Sequence, residues 1–330
     1  MAHKGTEKTL QKLKDSVSGG NYYEAHQMYR TVARRYNKQQ KYTKSIHLLH
    51  DGAVSLMQHK QYASGSDLAN YMLDTYNLGN IAVDEKTLDR VVELLSLYPS
   101  DEPGRKTFIH NAFSWTQKHG EYREGDPELH DYVGTMYYHE QRYARAEEHL
   151  LVGTDQSAVT LGKVAASWSQ SESDNTLPGL YIARVVFQLL AMKNIHHATL
   201  AYTQFIESAQ PEKADTEAKV RRAPADEPET EPVYTDSWLN FTRLVLLTVQ
   251  RDASPLFQQL RESYKPLSQE QKGFEELLDD IGEVFFQIPR PRKQGNMLQD
   301  LMSSLFAGGP PQPQQRQVTG GSRQGGMELD

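Results

Sequence analysis

The sequence predicts an all-α protein, an α-solenoid of stacked, TPR-like antiparallel helical pairs with roughly fourteen helices and one long insertion near the C-terminal end. Three observations predict it. Apolar residues recur at the helical period nearly everywhere, strand-like alternation is almost absent, and a repeat of twenty residues runs through the N-terminal stretch.

The first helix lies in "NYYEAHQMYRTVARRY", where Tyr22, Ala25, Tyr29, Val32 and Tyr36 fall on one stripe of a 3.6-residue helix. Tyr42, Ile46, Leu49 and Ala53 repeat the arrangement, as do Tyr62, Leu68, Tyr71 and Met72. Tyr22, Tyr42 and Tyr62 each open a helix, and each has a small residue three positions on: Ala25, Ser45 and Gly65. Tyr143 with Ala146 shows the same device later in the chain. A large ring beside a small neighbour lets adjacent helices approach closely. Two such helices form a unit of about forty residues that cannot bury its apolar face alone, so several must stack. Further starts are marked by Pro103, by Asp126 as N-cap with Pro127 and Glu128 behind it, and by Pro178. The helix after Pro178 is apolar on most sides (Leu180, Ile182, Val185, Val186, Phe187, Leu189, Leu190), so it should be buried from more than one direction.

Two segments break the pattern. Residues 211–236 hold four prolines and eight acids, with Val220, Val233 and Tyr234 as the sizeable apolar residues, so 211–235 reads as a mobile insertion. Residues 307–330 are rich in Gly, Pro and Gln and read as a disordered tail.

Composition excludes several classes. Charged residues make up 24% and apolar residues 38%, the balance of a folded, water-exposed chain. No apolar run is long enough to span a bilayer, and the N-terminus lacks the apolar core of a secretory signal. The absence of cysteine removes disulfides, thiolate metal sites and Cys nucleophiles, and it fits the cytosol. No phosphate-cradling glycine motif occurs, and His47 with His50 or His196 with His197 lack a third ligand at metal spacing. No catalytic residue, cofactor or metal is therefore expected. Residues 1–60 carry a net charge of +7 and the remainder −14, so the basic end should steer an acidic partner. Nucleic acid is not the expected one, because Tyr23 is the single stacking ring on that face.

Tyr23, His26, Gln27, Arg30 and Arg34 occupy about a third of the first helix's circumference, opposite the Tyr22 stripe. Periodicity alone makes this a solvated face. Tyr and Arg are also the residue types enriched at binding hot spots, which makes it a candidate docking face. At the other end, Trp238, Phe241, Leu244, Leu247, Phe257 and Leu260 lie beside the insertion; they read first as core and second as a surface awaiting a partner.

The stretches "GNYYEAHQMYRTVARRY", "YTKSIHLLHDGA", "SGSDLANYMLDTY", "GDPELHDYVG", "YARAEEHLLVGT" and "NMLQDLMSSLF" resemble the Golgi-to-ER traffic protein four family, over roughly residues 6–306. The resemblance implies a non-enzymatic cytosolic adaptor in the guided entry of tail-anchored proteins. The N-terminal repeats, residues 1–155, would bind the ATPase that carries tail-anchored proteins to the ER. Repeats within 156–306 would hold the N-terminal segment of a ubiquitin-like protein, linked in turn to a co-chaperone. Carried over by residue, Tyr23, His26, Arg30 and Arg34, with Arg35 on the flank and Asp67 on the neighbouring pair, would contact the ATPase. Trp238, Phe241, Leu244 and Phe257 would contact the ubiquitin-like partner. The family's insertion is hairpin-like, whereas this one is longer, more acidic and richer in proline. A helical-repeat scaffold of another cytosolic complex is the alternative.

Overall fold

The structure, a computed structural model, describes residues 11–13, 15–171, 177–220 and 229–290. Helical residues at 11–13 and 15–18 lead into α1 (Tyr22–Lys38), α2 (Tyr42–Gln58), α3 (Tyr62–Leu78), α4 (Glu85–Ser96), α5 (Pro103–His119), α6 (Pro127–His139) and α7 (Tyr143–Leu150). Then come α8 (Asp155–Ser171), α9 (Gly179–Ala191) and α10 (Ile195–Ala209), a hairpin of β1 (Lys213–Val220) and β2 (Glu229–Tyr234), and α11 (Ser237–Gln250), α12 (Ser254–Ser263), α13 (Lys265–Gln269) and α14 (Phe274–Phe286). The all-α solenoid expected from the sequence is what the chain forms. Residues up to Pro289 belong to one compact unit; a second unit begins at Arg290. The tail expected at 307–330 lies outside the described residues.

Helices α1, α3 and α5 neighbour one another in one layer, and α2, α4 and α6 in the other. The predicted tyrosines do open α1, α2 and α3, and the small residues behind them are buried at the crossings: Ala25, Ser45 and Gly65. A methyl group on Gly65 would sit 2.5 Å from the Met57 side chain, and one on Gly52 would sit 2.7 Å from the Tyr29 ring. Side chains this close leave no room for another carbon, which is why the crossings take Gly, Ala or Ser.

Helix starts follow their sequence signals. Asp126 accepts from the backbone N–H of Glu128 (3.0 Å) and Leu129 (3.1 Å), with Pro127 at the first helical position. Asp84 and Thr87 form a reciprocal capping box at α4. Helix α9 meets α8, α10, α11 and α14, and its Ile182, Val185, Val186, Phe187, Leu189 and Leu190 are all fully buried, as its all-round apolarity requires. Ion pairing reaches into the core where Arg105 of α5 bonds both oxygens of Glu140, just past α6.

The insertion holds regular structure that its composition does not signal. Lys213–Val220 and Glu229–Tyr234 pair antiparallel, with Glu217 opposite Pro232 and an irregularity between Lys213 and Glu217. Composition weighs side-chain burial, but backbone ladder bonds and the anchoring of the stem also count. Tyr234 is buried, its N–H donates to Asn240 Oδ1 (2.9 Å) and its carbonyl accepts from Asn240 Nδ2 (2.7 Å). Pro232 lacks an N–H, which a two-stranded ribbon tolerates because each strand has an open edge.

Candidate interaction site

The predicted basic face on α1 is present, but its residues divide into two groups. Tyr23 is 77% exposed, and Arg34 and Arg35 are exposed as well. His26 and Arg30 are half-buried because α3 runs across that side of α1 and brings Asp67 against them. His26 Nε2 donates to Asp67 Oδ2 (2.8 Å), and the Arg30 guanidinium donates to both carboxylate oxygens. Gln27 Nε2 donates to His26 Nδ1 (3.4 Å), which assigns the proton of the neutral ring to Nε2, facing Asp67.

Electrostatics follow from this clamp. Partial burial pushes the Asp67 carboxyl up, but the hydrogen bonds from Arg30 and His26 outweigh it and hold the group below the ordinary carboxylate range. Asp74, two turns further along α3, is pushed up, by burial first and by the Asp67 charge second. The Arg30 guanidinium also lies over the Tyr71 ring, 5.6 Å from its centroid. Asp67 was expected to be a contact for a partner; here both of its oxygens are engaged within the chain. The clamp fixes α1 on α3 and leaves Tyr23 and Arg34 facing solvent. Among the described residues Arg34 has no ion-pair partner.

Tyr71 and Asp74 belong to this site; the sequence pattern placed Tyr71 only on an apolar stripe and did not single out Asp74. They follow Asp67 by one and two helical turns, a signal that becomes readable only once α3 is known to lie across α1.

The four aromatic and aliphatic residues expected to face a partner at the C-terminal end fare differently. Trp238, Phe241 and Phe257 are buried within the chain itself, the first of the two readings their pattern allowed, so in this chain they offer no open surface to a partner. Trp238 lies 4.8 Å from Phe274, Phe241 stacks on Tyr264 at 4.7 Å, and Phe257 meets Phe286 at 4.9 Å. Trp238 and Phe241, three residues apart, lie on the face that α11 turns inward, and Phe257 on that of α12. Leu244 is half-buried, and Leu256, which the sequence reading passed over, is 47% exposed.

Among the described residues no three His, Asp or Glu side chains are arranged to hold a metal ion, and no helix is long and apolar enough to cross a membrane. His196 and His197 instead both reach Asp155, and His50 reaches Asp51 and Glu93.

The chain is similar to known proteins over nearly its whole length. The family model described as Golgi to ER traffic protein 4 matches residues 39–306. Golgi to ER traffic protein 4 of Aspergillus fumigatus is 33% identical over 345 residues, covering 98% of this chain and 99% of that protein. The Homo sapiens homolog is 29% identical over 304 residues, covering 92% and 87%. A crystal structure of C. therm. Get4 superposes with a TM-score of 0.79 at 33% identity, covering 92% of this chain and 96% of that one. None of these descriptions names an enzymatic activity. The family match begins just past α1, while the relative from Aspergillus aligns through it, so the Tyr23–Arg34 face lies within the shared length. The solenoid is thus shared in sequence and in shape, and the chain belongs to the Golgi to ER traffic protein 4 family.

Proposed function

We propose that this protein is a non-enzymatic cytosolic adaptor of Golgi-to-ER traffic, bridging a targeting ATPase for tail-anchored proteins and a ubiquitin-like protein linked to a co-chaperone. Family membership supports the traffic role. The observation that supports the ATPase contact is the face formed by Tyr23 and Arg34: a ring 77% exposed, beside a guanidinium with no ion-pair partner among the described residues, on the basic end of the chain. Such a ring buries large area on docking, and a rim arginine steers an acidic surface toward it. The ubiquitin-like segment would lie against Leu244 and Leu256, over the core formed by Trp238, Phe241 and Phe257.

The test is a pull-down from cytosol with tagged wild type, Tyr23→Ala and Arg34→Glu, read by mass spectrometry. Wild type should retain a targeting ATPase and a ubiquitin-like protein. Both variants should lose the ATPase and keep the ubiquitin-like protein. Undiminished ATPase recovery with both variants would rule out this face.

A further inference from the structure

A trough runs between α4 and α6, away from both surfaces assigned above. It encloses about 920 Å³. Helix α4 lines it with positions 85, 88, 89 and 92, and α6 with 128, 129, 132, 135, 136 and 139, one stripe of each helix. At 1.5 Å per residue these stripes are about 10 and 16 Å long, so the trough spans two to three helical turns.

Its floor and rim have opposite character. Leu88, Val92, Tyr132 and Met136 are half-buried, and Leu129 is buried beneath them. Glu85, Asp89 and Glu128 are exposed along the rim and have no ion-pair partner among the described residues. The two other rim acids are already engaged: Asp131 accepts from Ser157 Oγ (2.6 Å) and Glu140 is held by Arg105. His139 is the one lining side chain able to carry positive charge. The trough also lies in the part of the chain whose net charge is −14.

We propose that this trough docks a short basic amphipathic helix of a partner protein. An apolar stripe at i, i+3, i+4 and i+7 would cover Leu88, Val92, Tyr132 and Met136, and flanking Lys or Arg would reach Glu85, Asp89 and Glu128. An acidic or uncharged helix would instead strand three unpaired carboxylates at the edge of an apolar contact. Charge complementarity therefore selects the occupant.

The proposal is tested on the full chain by fluorescence anisotropy with a labelled peptide of about fourteen residues, Leu at the four stripe positions and Lys elsewhere. A second peptide replaces Lys by Glu, and a third replaces Leu by Ala. The Leu/Lys peptide should bind saturably and weaken with salt. It should bind at least about tenfold more weakly to Glu85→Lys/Asp89→Lys/Glu128→Lys, whose circular dichroism stays unchanged because all three sites are exposed. That variant should gain affinity for the Leu/Glu peptide. Equal binding of the Ala-substituted peptide would reduce the effect to bulk charge and overturn the proposal. So would an affinity unaffected by the triple reversal, or sedimentation showing that the reversal dissolves a dimer, which would make a second copy the occupant.

Discussion

Arg30 and Arg34 sit one turn apart on α1 and serve different ends, one turned to Asp67 and the other to water. Arg34→Glu should leave the melting temperature unchanged. Arg30→Glu should destabilise by about 1 kcal/mol, because it sets a second carboxylate against Asp67 at a part-exposed site. Thermal melts of the two variants decide this, and equal melting would remove the clamp as a stability element. A second residue-scale prediction concerns His130 and His149, which face each other through their Nδ1 atoms at 3.1 Å. His130 Nε2 donates to the Glu124 carbonyl (3.1 Å), so its Nδ1 accepts and His149 Nδ1 carries the shared proton. Burial, then the nearby His130 and Arg145, push His149 down to about 4. Its folded-state value thus lies below the unfolded one, near 6.5, so the unfolded chain binds the proton first. Stability from this pair is complete above that value and lost as pH falls toward about 4. His149→Gln retains a donor without the titration, so its melting temperature should fall less than wild type's across that window. At this scale the sequence exposed the Tyr23–Arg34 stripe by helical spacing, but not which arginine is free. That depends on Asp67, which is distant along the chain and adjacent only after α3 packs.

The first four helical segments end in the same turn. Gly20, Gln40, Lys60 and Asn80, twenty residues apart, are all left-handed, with φ of 76°, 55°, 61° and 47°. The N–H of the following residue reaches back five residues in each case: Asn21 to Ser16 (2.8 Å), and Lys41 to Tyr36, Gln61 to Leu56 and Ile81 to Tyr76 (each 2.9 Å). This is the Schellman closure of a helix end, and it recurs at Gln141, Lys193 and Asp252. Left-handed backbone costs a side-chain-bearing residue more than glycine, so Gln40→Gly and Lys60→Gly should each stabilise by up to about 1 kcal/mol, and Gln40→Val should destabilise by more than that. Denaturant titration checks both signs. Gly162 tests the crossings. An added methyl would lie 2.5 Å from the Ala201 carbonyl oxygen and 2.9 Å from the Phe205 nitrogen, both backbone, so Gly162→Ala should cost about 1–3 kcal/mol by pushing α8 off α10. The tyrosine repeat was legible because ring and small residue have a fixed spacing. The turn repeat was not, because four different residue types occupy the left-handed position. The hairpin escaped for the opposite reason: its bonds are made by backbone, to which composition is blind.

Among the described residues the main packing of α1, α2 and α3 reaches no further along the chain than α5, while that of α9 reaches α14. Stability in such a chain is a sum over neighbouring elements, not a single cooperative whole. Hydrogen exchange by mass spectrometry should therefore show Arg30→Glu raising exchange in α1–α3 and leaving α9–α14 at the wild-type rate. A uniform rise would mean that the described unit unfolds as one. The solenoid as a class was readable from helical period and repeat length, since both are local, and so was the core reading of Trp238, Phe241 and Phe257; which helix covers them was not, since that depends on α14 returning against α9. The repeating turn has one further consequence, for how such a chain can change in length. Every turn reverses chain direction, so excising one helix with its turn would send every later helix through the stack the opposite way. Excising two would restore the polarity. Viable gains and losses in the N-terminal stretch should then come in steps of about forty residues, a length ladder written by the handedness of single peptide units.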